Sequence, residues 1–555
     1  MRLRTAIMTC FTALAAFSAG QAQAEQLFWN GGDGNFIYPV WTDAWGNDGH
    51  DFAPGSEVYF QGDGGTIDAI DDPEVGTMEV KGNYSFISAD HLTVYGALRV
   101  GDGKTGTFDA IPTVDDGGIE VNYDATLDLT PIAVNQGLLD TVSHKVADYS
   151  AGTVKFQGTA ATETLTNHIT FRNNVLVDGG LSLNGAESDG YIAIAGEEWD
   201  ERTFTLTDNL QLEGNAKFLV DGGILDAQGG IVLGAEEGGS GGKLEMTGGK
   251  LSTAGITLVG GNENAIEITG GEFTVTSNNA FSSAGEGDDR TTVSISKATL
   301  VAEYNDWTLN HGATLTDVTV VHYDWSKVTI GAEGLETIIS GTLTNENDDV
   351  ELVLLGNITM KEGAVLKGNV LNTGSVSFEG ATENGGVVNT KGALTLAAGA
   401  NVFTSITAEA LKLTAAEATT LYVTDGLDVG EIILGNLCST ICVDTLLNGD
   451  IVFKADADIL AEGAYTLLTL GSPTGIALFA LTMGGELDGI TMQVGEQTFA
   501  LGSGPTKVTG TEGLMLQLVL SEDAKSVQAI VIPEPATATL SLLALAALAA
   551  RRKRK

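Results

Sequence analysis

Adjacent carboxylates are the side chains of this sequence that could do chemistry most directly. They occur at Asp71 and Asp72, Asp115 and Asp116, Glu197 and Glu198 with Asp200 and Glu201, Asp288 and Asp289, and Asp348 and Asp349. Two carboxyl groups that face each other across a sugar can hydrolyse a glycosidic bond, and clustered carboxylate oxygens bind Ca²⁺. Because 73 of the 555 residues are acidic, such neighbours arise often by chance. We therefore favour a solvated acidic face, predict no catalytic residue, and keep calcium as an alternative.

Other motifs that could carry chemistry are incomplete. Residues 238–242 satisfy the G-x-S-x-G pattern of a serine nucleophile, but they lie in a run of glycines with no strand-to-helix elbow. The six histidines are scattered along the chain, and none belongs to an H-E-x-x-H zinc motif. The sequence therefore predicts no metal site and no bound cofactor.

Aromatic residues are concentrated near the beginning of the chain, at Trp29, Trp41, Trp45, Phe52 and Phe60. Large rings can seal a repeat structure where the first repeat has no neighbour, and we favour this capping role for residues 25–89. The alternative is a carbohydrate-stacking platform, because tryptophan faces suit sugar rings. A groove of carboxylates flanked by Trp199, Trp307 or Trp325 would favour glycan binding, whereas aromatics buried inside the coil would favour a structural role.

A repeat would position these side chains. Residues 243–251 read KLEMTGGKL and residues 265–273 read AIEITGGEF, so every position of the first copy recurs at one constant offset in the second. Apolar and polar residues alternate within both copies, which is the period of a strand with one buried face. The glycine pair permits the positive φ of a corner. A repeat of about two dozen residues predicts an all-β fold, a right-handed parallel β-helix whose turns stack on one another.

The composition supports continuous strand pairing. No proline lies between Pro131 and Pro473, which suits a ladder because proline has no amide N–H to donate. Dense apolar runs within residues 431–530 predict strands that are buried on both faces. We therefore predict an N-terminal capping region (25–89), a β-helix domain (90–430) and a C-terminal β cap or small sandwich (431–530).

The charge of the chain limits its partners. The formal net charge is −46; without the two basic residues of the first 24 and the five basic and one acidic residues of 533–555, 20 basic and 72 acidic residues remain, a net charge of −52. Such a surface repels nucleic acid and anionic membranes. It also lacks the basic groups that a lyase of acidic polysaccharides needs, so a hydrolase of neutral glycans is the stronger enzyme alternative.

The N-terminus resembles a secretory signal peptide. Two arginines precede an apolar stretch, and Ala22 and Ala24 form an A-x-A site, so residues 1–24 are expected to be removed before Glu25. After cleavage Cys438 and Cys442 are the cysteines that remain. In an exported protein their close spacing predicts a small disulfide loop, with a pair of buried thiols as the alternative.

The C-terminal segment, residues 533–555, has three parts in a fixed order. Pro533, Glu534 and Pro535 come first, mostly apolar helix formers fill 536–550, and the chain ends with Arg551, Arg552, Lys553, Arg554 and Lys555. The apolar part would span about 22 Å as a helix, less than the roughly 30 Å of a bilayer core. Tilt and snorkelling of the basic end cover the difference. We predict a short C-terminal transmembrane helix whose basic end stops transfer on the cytoplasmic side.

This tail resembles the PEP-CTERM sorting signal. The resemblance implies that an exosortase-type membrane protease recognises Pro533, Glu534 and Pro535, cleaves the chain and passes it to the cell surface; an unprocessed anchor is the alternative. The residues 54–60, Pro-Gly-Ser-Glu-Val-Tyr-Phe, and the spaced tryptophans before them are similar to the opening of passenger domains with autotransporter-associated β-strand repeats. Here Ser-Glu replaces the Asp of that pattern.

Together these features predict an exported, non-enzymatic structural or adhesive protein of the cell envelope or surface. Residues 531–555 would hold it transiently in the inner membrane. Its expected partners are the exosortase-type protease and an extracellular polysaccharide or host glycan, and no nucleic acid. The alternative function is a glycan-binding or glycan-hydrolysing β-helix enzyme that uses the same scaffold.

Overall fold

The computed structural model describes residues 25–534 with internal gaps. The residues not described within this span are 30, 38–40, 116, 149, 186–189, 197–200, 236–239, 261, 278–280, 285–289, 304, 324, 348, 369, 373–375, 380–381, 386, 391, 397–398, 414–416, 445–450, 471–488, 512 and 522–525. Its contacts divide the chain into two units, Met1–Glu267 with Ser283–Thr291, and Ile268–Ser282 with Thr292–Lys555.

The protein is all-β, a parallel β-solenoid of about 16 turns, which confirms the predicted parallel β-helix. Most of its strands are short, and they bury alternate residues. In the strand Ser56–Phe60, for example, Ser56, Val58 and Phe60 are buried while the residues between them are half-buried. This is expected because successive side chains of a strand point to opposite faces.

The strands of the first unit are β1 Gln26–Trp29, β2 Gly34–Asn35, β3 Trp41–Asp43, β4 Asp48–His50, β5 Ser56–Phe60, β6 Gly65–Asp68, β7 Glu74–Val80, β8 Tyr84–Ile87, β9 Thr93–Val94, β10 Leu98–Val100, β11 Thr105–Phe108, β12 Thr113–Val114, β13 Ile119–Val121, β14 Thr126–Ala133, β15 Thr153–Thr164, β16 His168–Phe171, β17 Asn174–Asn184, β18 Tyr191–Ala195, β19 Thr203–Leu206, β20 Asn209–Glu213, β21 Lys217–Asp221, β22 Ile224–Ala227, β23 Gly230–Leu233, β24 Lys243–Met246, β25 Lys250–Thr253 and β26 Ile256–Val259. Two strands cross the boundary between the units, β27 Ala265–Ile268 and β29 Phe281–Ala284.

The strands of the second unit are β28 Glu272–Val275, β30 Thr292–Ser296, β31 Thr299–Ala302, β32 Trp307–Leu309, β33 Thr314–His322, β34 Val328–Ile330, β35 Glu336–Asn345, β36 Leu352–Leu354, β37 Asn357–Met360, β38 Val365–Lys367, β39 Val370–Asn372, β40 Val376–Phe378, β41 Thr382–Gly385, β42 Val388–Thr390, β43 Ala393–Leu396, β44 Gly399–Leu413, β45 Thr419–Leu434, β46 Thr440–Val443, β47 Val452–Ala455, β48 Gly463–Leu470, β49 Thr491–Val494, β50 Gln497–Ala500, β51 Thr506–Lys507, β52 Leu514–Leu520 and β53 Ser526–Pro533. The helical segments of the described chain are α1 Gln136–Lys145 and the 3-10 turns Ala89–His91 and Ala457–Ile459.

In the first unit the turns stack in register from the first strand onward. β1 pairs in parallel with β5, so the ladder begins well before the predicted boundary at residue 90. Val58, Met78 and Leu98 are successive partners in one column of the ladder. Leu219 and Glu245, partners further along, are separated by a longer stretch of chain. Some turns are therefore shorter, and others longer, than the repeat length predicted from residues 243–251 and 265–273.

Aromatic rings fill part of the interior of this unit. Phe86 lies with its ring centroid 4.9 Å from that of Phe60 and 4.8 Å from that of Phe108. All three side chains are fully buried. Phe86 and Phe108 are partners on neighbouring strands of the ladder, whereas Phe60, whose own ladder partner is Val80, contacts Phe86 across the interior. The three rings fill this part of the core by close packing.

The helix α1 interrupts the succession of strands, and the sequence analysis did not predict it. The side chain of Asn135 accepts a hydrogen bond from the amide of Leu138 at 2.9 Å, which caps the N-terminus of the helix. Leu138, Leu139 and Val142 are buried along one face. The helix thus adds a short covering element to the coil.

The second unit has the same parallel architecture with turns of different lengths. Leu300 pairs with Val320 across one turn. Ile358, Val376 and Leu394 are successive partners across shorter turns. Both spacings allow the inward-facing residues to stack, because strand pairing in a solenoid fixes the stacking position and leaves the loop length free.

The last strands of the second unit change direction. β48 pairs antiparallel with β53, and β53 pairs antiparallel with β52. Leu516, Leu518, Val527, Ala529 and Val531 on these strands are buried. The strands of this region were predicted to be buried on both faces, but burial alternates along β53, where the residues between Val527, Ala529 and Val531 are half-buried because successive side chains point to opposite faces. The predicted boundary between residues 530 and 531 falls inside β53.

No helix among the described residues is long and apolar enough to cross a membrane. The predicted transmembrane segment, residues 536–550, lies outside the described part of the chain.

Candidate functional site

The first two residues of the predicted sorting motif belong to the folded body. Pro533 is the last residue of β53 and lies opposite Leu514 of β52. The next residue, Glu534, donates its amide N–H to the carbonyl of Gly513. Its carboxylate Oε2 accepts a hydrogen bond from Lys507 Nζ at 3.0 Å. The motif therefore begins without any flexible spacer after the last strand.

The remaining predicted sorting residues lie outside the described residues. These are Pro535 and the basic cluster Arg551, Arg552, Lys553, Arg554 and Lys555. The side chains of Lys507 and Glu534 are 60% and 41% exposed, so water and salt screen their attraction and the pair adds little to stability. The ion pair instead fixes the position of the Glu534 carboxylate next to Lys507 of β51.

At the other predicted processing site Ala22 and Ala24 also lie outside the described residues, but Glu25 is described. Its carbonyl accepts the amide of Glu57, which extends the β1–β5 ladder by one bond. Its carboxylate lies 3.0 Å from His50 Nδ1, and the other nitrogen of that ring lies 3.3 Å from the carboxylate of Asp43. The first residue of the predicted mature chain is thus tied to the folded structure.

Both cysteines are free thiols in the structure, which therefore does not show the predicted disulfide. Cys438 is exposed in the turn before β46, whereas Cys442 is half-buried within that strand and pairs with Tyr422 and Thr469. Burial raises the pKa of the Cys442 thiol, which lowers its thiolate fraction and its reactivity.

Among the acidic residues that adjoin each other in the sequence, Asp72 and Glu201 contact different basic side chains. Asp72 is 2.6 Å from His91, and this hydrogen bond, with the charge of Asp90, raises the pKa of His91. Glu201 forms an ion pair with Lys250 at 3.4 Å. Across residues 25–534 apart from the gaps, no group of three or more potential metal ligands comes together.

The tryptophans fall into two groups by exposure. Trp29, Trp41 and Trp307 are 3%, 0% and 1% exposed, whereas Trp45 and Trp325 are 88% and 71% exposed. Trp199 is outside the described residues. The buried rings pack inside the coil, as the structural interpretation expects, and the exposed rings are the candidates for contact with a ligand.

Trp325 lies in a turn that hydrogen bonds of its described neighbours close and support. Its φ is +65°, a left-handed conformation that costs a bulky residue of the order of 1–3 kcal/mol. The turn is closed by a hydrogen bond from the Ser326 amide to the Tyr323 carbonyl at 3.0 Å. The buried ring of His322 donates from Nδ1 to the Ser326 carbonyl at 2.7 Å. Burial lowers the pKa of His322, so the neutral ring is the form that braces the turn.

A second aromatic ring lies in the same turn, because Tyr323 is 55% exposed. The sequence analysis named Trp325 but not Tyr323. The Tyr-x-Trp spacing was a usable signal, since aromatic residues are only 6% of the chain. The sequence analysis also missed Lys507, whose contact with Glu534 joins residues far apart in the chain and leaves no local pattern.

A polar cleft of about 250 Å³ lies in the first unit. Its lining residues are Gly158, Thr159, Gly180, Leu181, Ser182, Asp208, Asn209 and Gln211. These side chains can exchange hydrogen bonds with a polar ligand, but the lining contains no aromatic ring on which a sugar could stack. The cleft is therefore a weaker candidate than the Tyr323–Trp325 turn.

Comparison of this chain with protein-family models, with curated proteins and with solved structures found no match.

Proposed function

We propose that this protein is an exported, non-catalytic structural or adhesive protein of the cell surface, sorted through its C-terminal tail. The observation that carries the proposal is the position of Pro533 and Glu534 at the end of the last strand. A membrane protease that cleaves there would release a folded β-solenoid whose final strand is complete. We propose an exosortase-type protease as the partner for this step, with residues 536–550 as the transient membrane anchor.

Both ends of the solenoid have features that suit capping. At the start, Trp41 lies with its ring centroid 5.4 Å from those of Trp29 and Phe60. At the end, β53 reverses direction and fills hydrogen-bonding positions on β48 and β52. We propose that these two arrangements cap the coil, because an open ladder end would template pairing with another chain. We also propose a right-handed coil, the hand that parallel crossover connections overwhelmingly adopt.

The local contacts of the carboxylates support a structural role over hydrolysis. Asp72 and Glu201 are each paired with a basic side chain. A glycosidase needs two carboxyl groups converging on one bond with their protonation states set apart. The acidic surface instead keeps a β-rich protein soluble.

The sorting proposal is tested by replacing Pro533 and Glu534 with Ala in the native cells and fractionating the envelope. The double variant should be retained in the inner membrane, because the protease would lose its recognition residues. Glu496→Ala, which removes another exposed glutamate of the same unit, should be delivered like the wild type. Surface delivery of the Pro533→Ala/Glu534→Ala variant at the wild-type level would refute the sorting function.

A further inference from the structure

The turn at residues 323–326 exposes two large aromatic side chains that the fold does not need for packing. Trp325 is 71% exposed and Tyr323 is 55% exposed. Exposed apolar patches commonly mark contact surfaces, and these two side chains are separated by a single residue in the sequence. Here the backbone is also held in the left-handed conformation at Trp325, which a smaller residue would adopt more easily. An unfavourable conformation that presents an unburied ring points to a contact outside the chain.

Hydrogen bonds hold the backbone that follows Trp325. Ser326 is 4% exposed, and its hydroxyl donates to the Glu303 carbonyl while its own carbonyl accepts from His322. The following residue, Lys327, donates its amide to Asp306 Oδ1 at 2.6 Å. The backbone that follows Trp325 is then already held, which reduces the conformational entropy lost on binding.

Polar turns lie on either side of the turn at residues 323–326. Ala302 pairs with His322, and Val320 pairs with Asn345, so the turns that follow these positions stack at the strand spacing of about 4.8 Å. The neighbouring turns carry the carboxylates Glu303, Asp306, Glu346 and Asp349 and the amide Asn347. Lys327 adds an exposed ammonium group next to the turn.

We propose that the Tyr323–Trp325 turn binds a neutral polysaccharide. The apolar C–H face of a pyranose ring would stack on the aromatic rings, and its hydroxyls would exchange hydrogen bonds with Lys327, Asn347 and the flanking carboxylates. This mixture of donors and acceptors suits hydroxyl groups, which need both. The carboxylates repel an anionic polymer.

The proposal deepens the adhesive function and rests on it for the encounter with an extracellular ligand. Sorting and binding are nevertheless separate measurements. A failure of sorting would appear in cell fractionation, whereas a failure of binding would appear with purified protein. Each result can therefore be negative without deciding the other.

The test uses the protein purified from its own cells and affinity electrophoresis in gels that contain dextran, xylan, mannan or a linear β-glucan. Alginate and poly-lysine serve as the anionic and cationic arms. At least one neutral polymer should retard the wild type, and Trp325→Asn should weaken that retardation at least tenfold. Asn accepts the left-handed conformation, so this variant removes the ring while keeping the turn.

Two further variants decide the interpretation. Trp45→Ala removes the other highly exposed tryptophan and should bind like the wild type, whereas Trp325→Tyr should retain part of the affinity because it keeps an aromatic face. Circular dichroism and thermal melting establish that each variant is folded. Retardation by none of the neutral polymers, retardation unchanged by Trp325→Asn, or Trp325-dependent binding of poly-lysine alone would overturn the proposal.

Discussion

We propose that the first and the last strands of the described chain are capped in different ways. A parallel ladder leaves unpaired backbone groups and apolar side chains where no further turn follows. At the start the protein uses aromatic volume, with Trp41 fully buried and its indole N–H donating to the Phe36 carbonyl at 3.0 Å. At the end it uses backbone pairing, with β53 antiparallel to both β48 and β52.

This difference indicates which interactions stabilise each end of the ladder. The start also has antiparallel pairing, of β3 with β1 and with β4, but β3 and β4 are only three residues long, and large buried rings accompany this short pairing. Strands at the end satisfy one another's hydrogen bonds and bury aliphatic residues such as Leu518. The start should therefore be sensitive to loss of a single side chain, and the end to loss of a strand.

The largest effect is expected for Trp41→Ala. Removing a fully buried tryptophan leaves a cavity among Trp29, Phe36 and Phe60, whose ring centroids lie 5.4–5.6 Å from that of Trp41. Large-to-small changes of this kind lower the free energy of unfolding by about 3–5 kcal/mol. Urea denaturation followed by circular dichroism measures the change.

Trp45→Ala is the matched control, because Trp45 lies close by in the chain and is 88% exposed. It should alter the free energy of unfolding by no more than about 0.5 kcal/mol. Similar losses in the two variants would show that aromatic burial does not secure the start of the ladder.

An intermediate effect is expected from the titration of Asp43 at the start. Its carboxylate accepts hydrogen bonds from the backbone and side-chain N–H groups of Asn47 and from the Trp45 amide, at 2.8–2.9 Å. The hydrogen bonds from Asn47 are the main cause that lowers the pKa of Asp43 below its ordinary value. Since the folded pKa is the lower one, the stabilisation is present above the ordinary aspartate pKa and is lost as the pH falls through the folded value.

Melting temperatures of the wild type and Asp43→Ala across this range test the titration. The variant should melt lower than the wild type at pH 5–7, and the two curves should converge in strong acid, where the wild-type carboxyl is protonated. A difference that stays constant down to the lowest pH would mean that the charged carboxylate contributes nothing to the turn.

The repeat pattern predicted most of the fold because it acts through local periodicity. Alternation around the glycine pairs of residues 243–251 and 265–273 identified β24 and its equivalents, and a parallel ladder is the arrangement that such repeats can share. The helix α1 was missed because Asn135 gives only a capping signal and the helix that follows includes a glycine. The strand β53 was divided at residue 530 because Val531 and Ile532 read as part of the apolar tail.

The candidate sites were less predictable for a physical reason. The contact of Lys507 with Glu534, and the stacking of the turns around Trp325, join residues that are distant in the sequence. Such proximity depends on the register of the ladder and on turn lengths that differ, as between the short turn from Ile358 to Val376 and the long turn from Leu219 to Glu245. A single sequence without a fixed repeat length does not determine that register.

The smallest effect on stability, and the one that separates the two ends most clearly, is expected for Lys507→Ala. Glu25 at the start contacts His50, whereas Glu534 at the end is held by Lys507. Because the side chains of this pair are 60% and 41% exposed, solvent screens their attraction and its loss should lower the free energy of unfolding by less than about 1 kcal/mol.

Loss of this contact should nevertheless free Glu534 for the proposed protease, so pulse-chase labelling in the native cells should show processing about twofold faster. Lys454→Ala breaks the ion pair between Lys454 and Glu431, which lie on the paired strands β47 and β45, and these strands do not include the sorting motif. This variant should leave processing unchanged. Slower processing of Lys507→Ala would instead mean that Lys507 itself contributes to recognition. Equal rates in all three proteins would mean that the contact with Glu534 does not limit access to the motif.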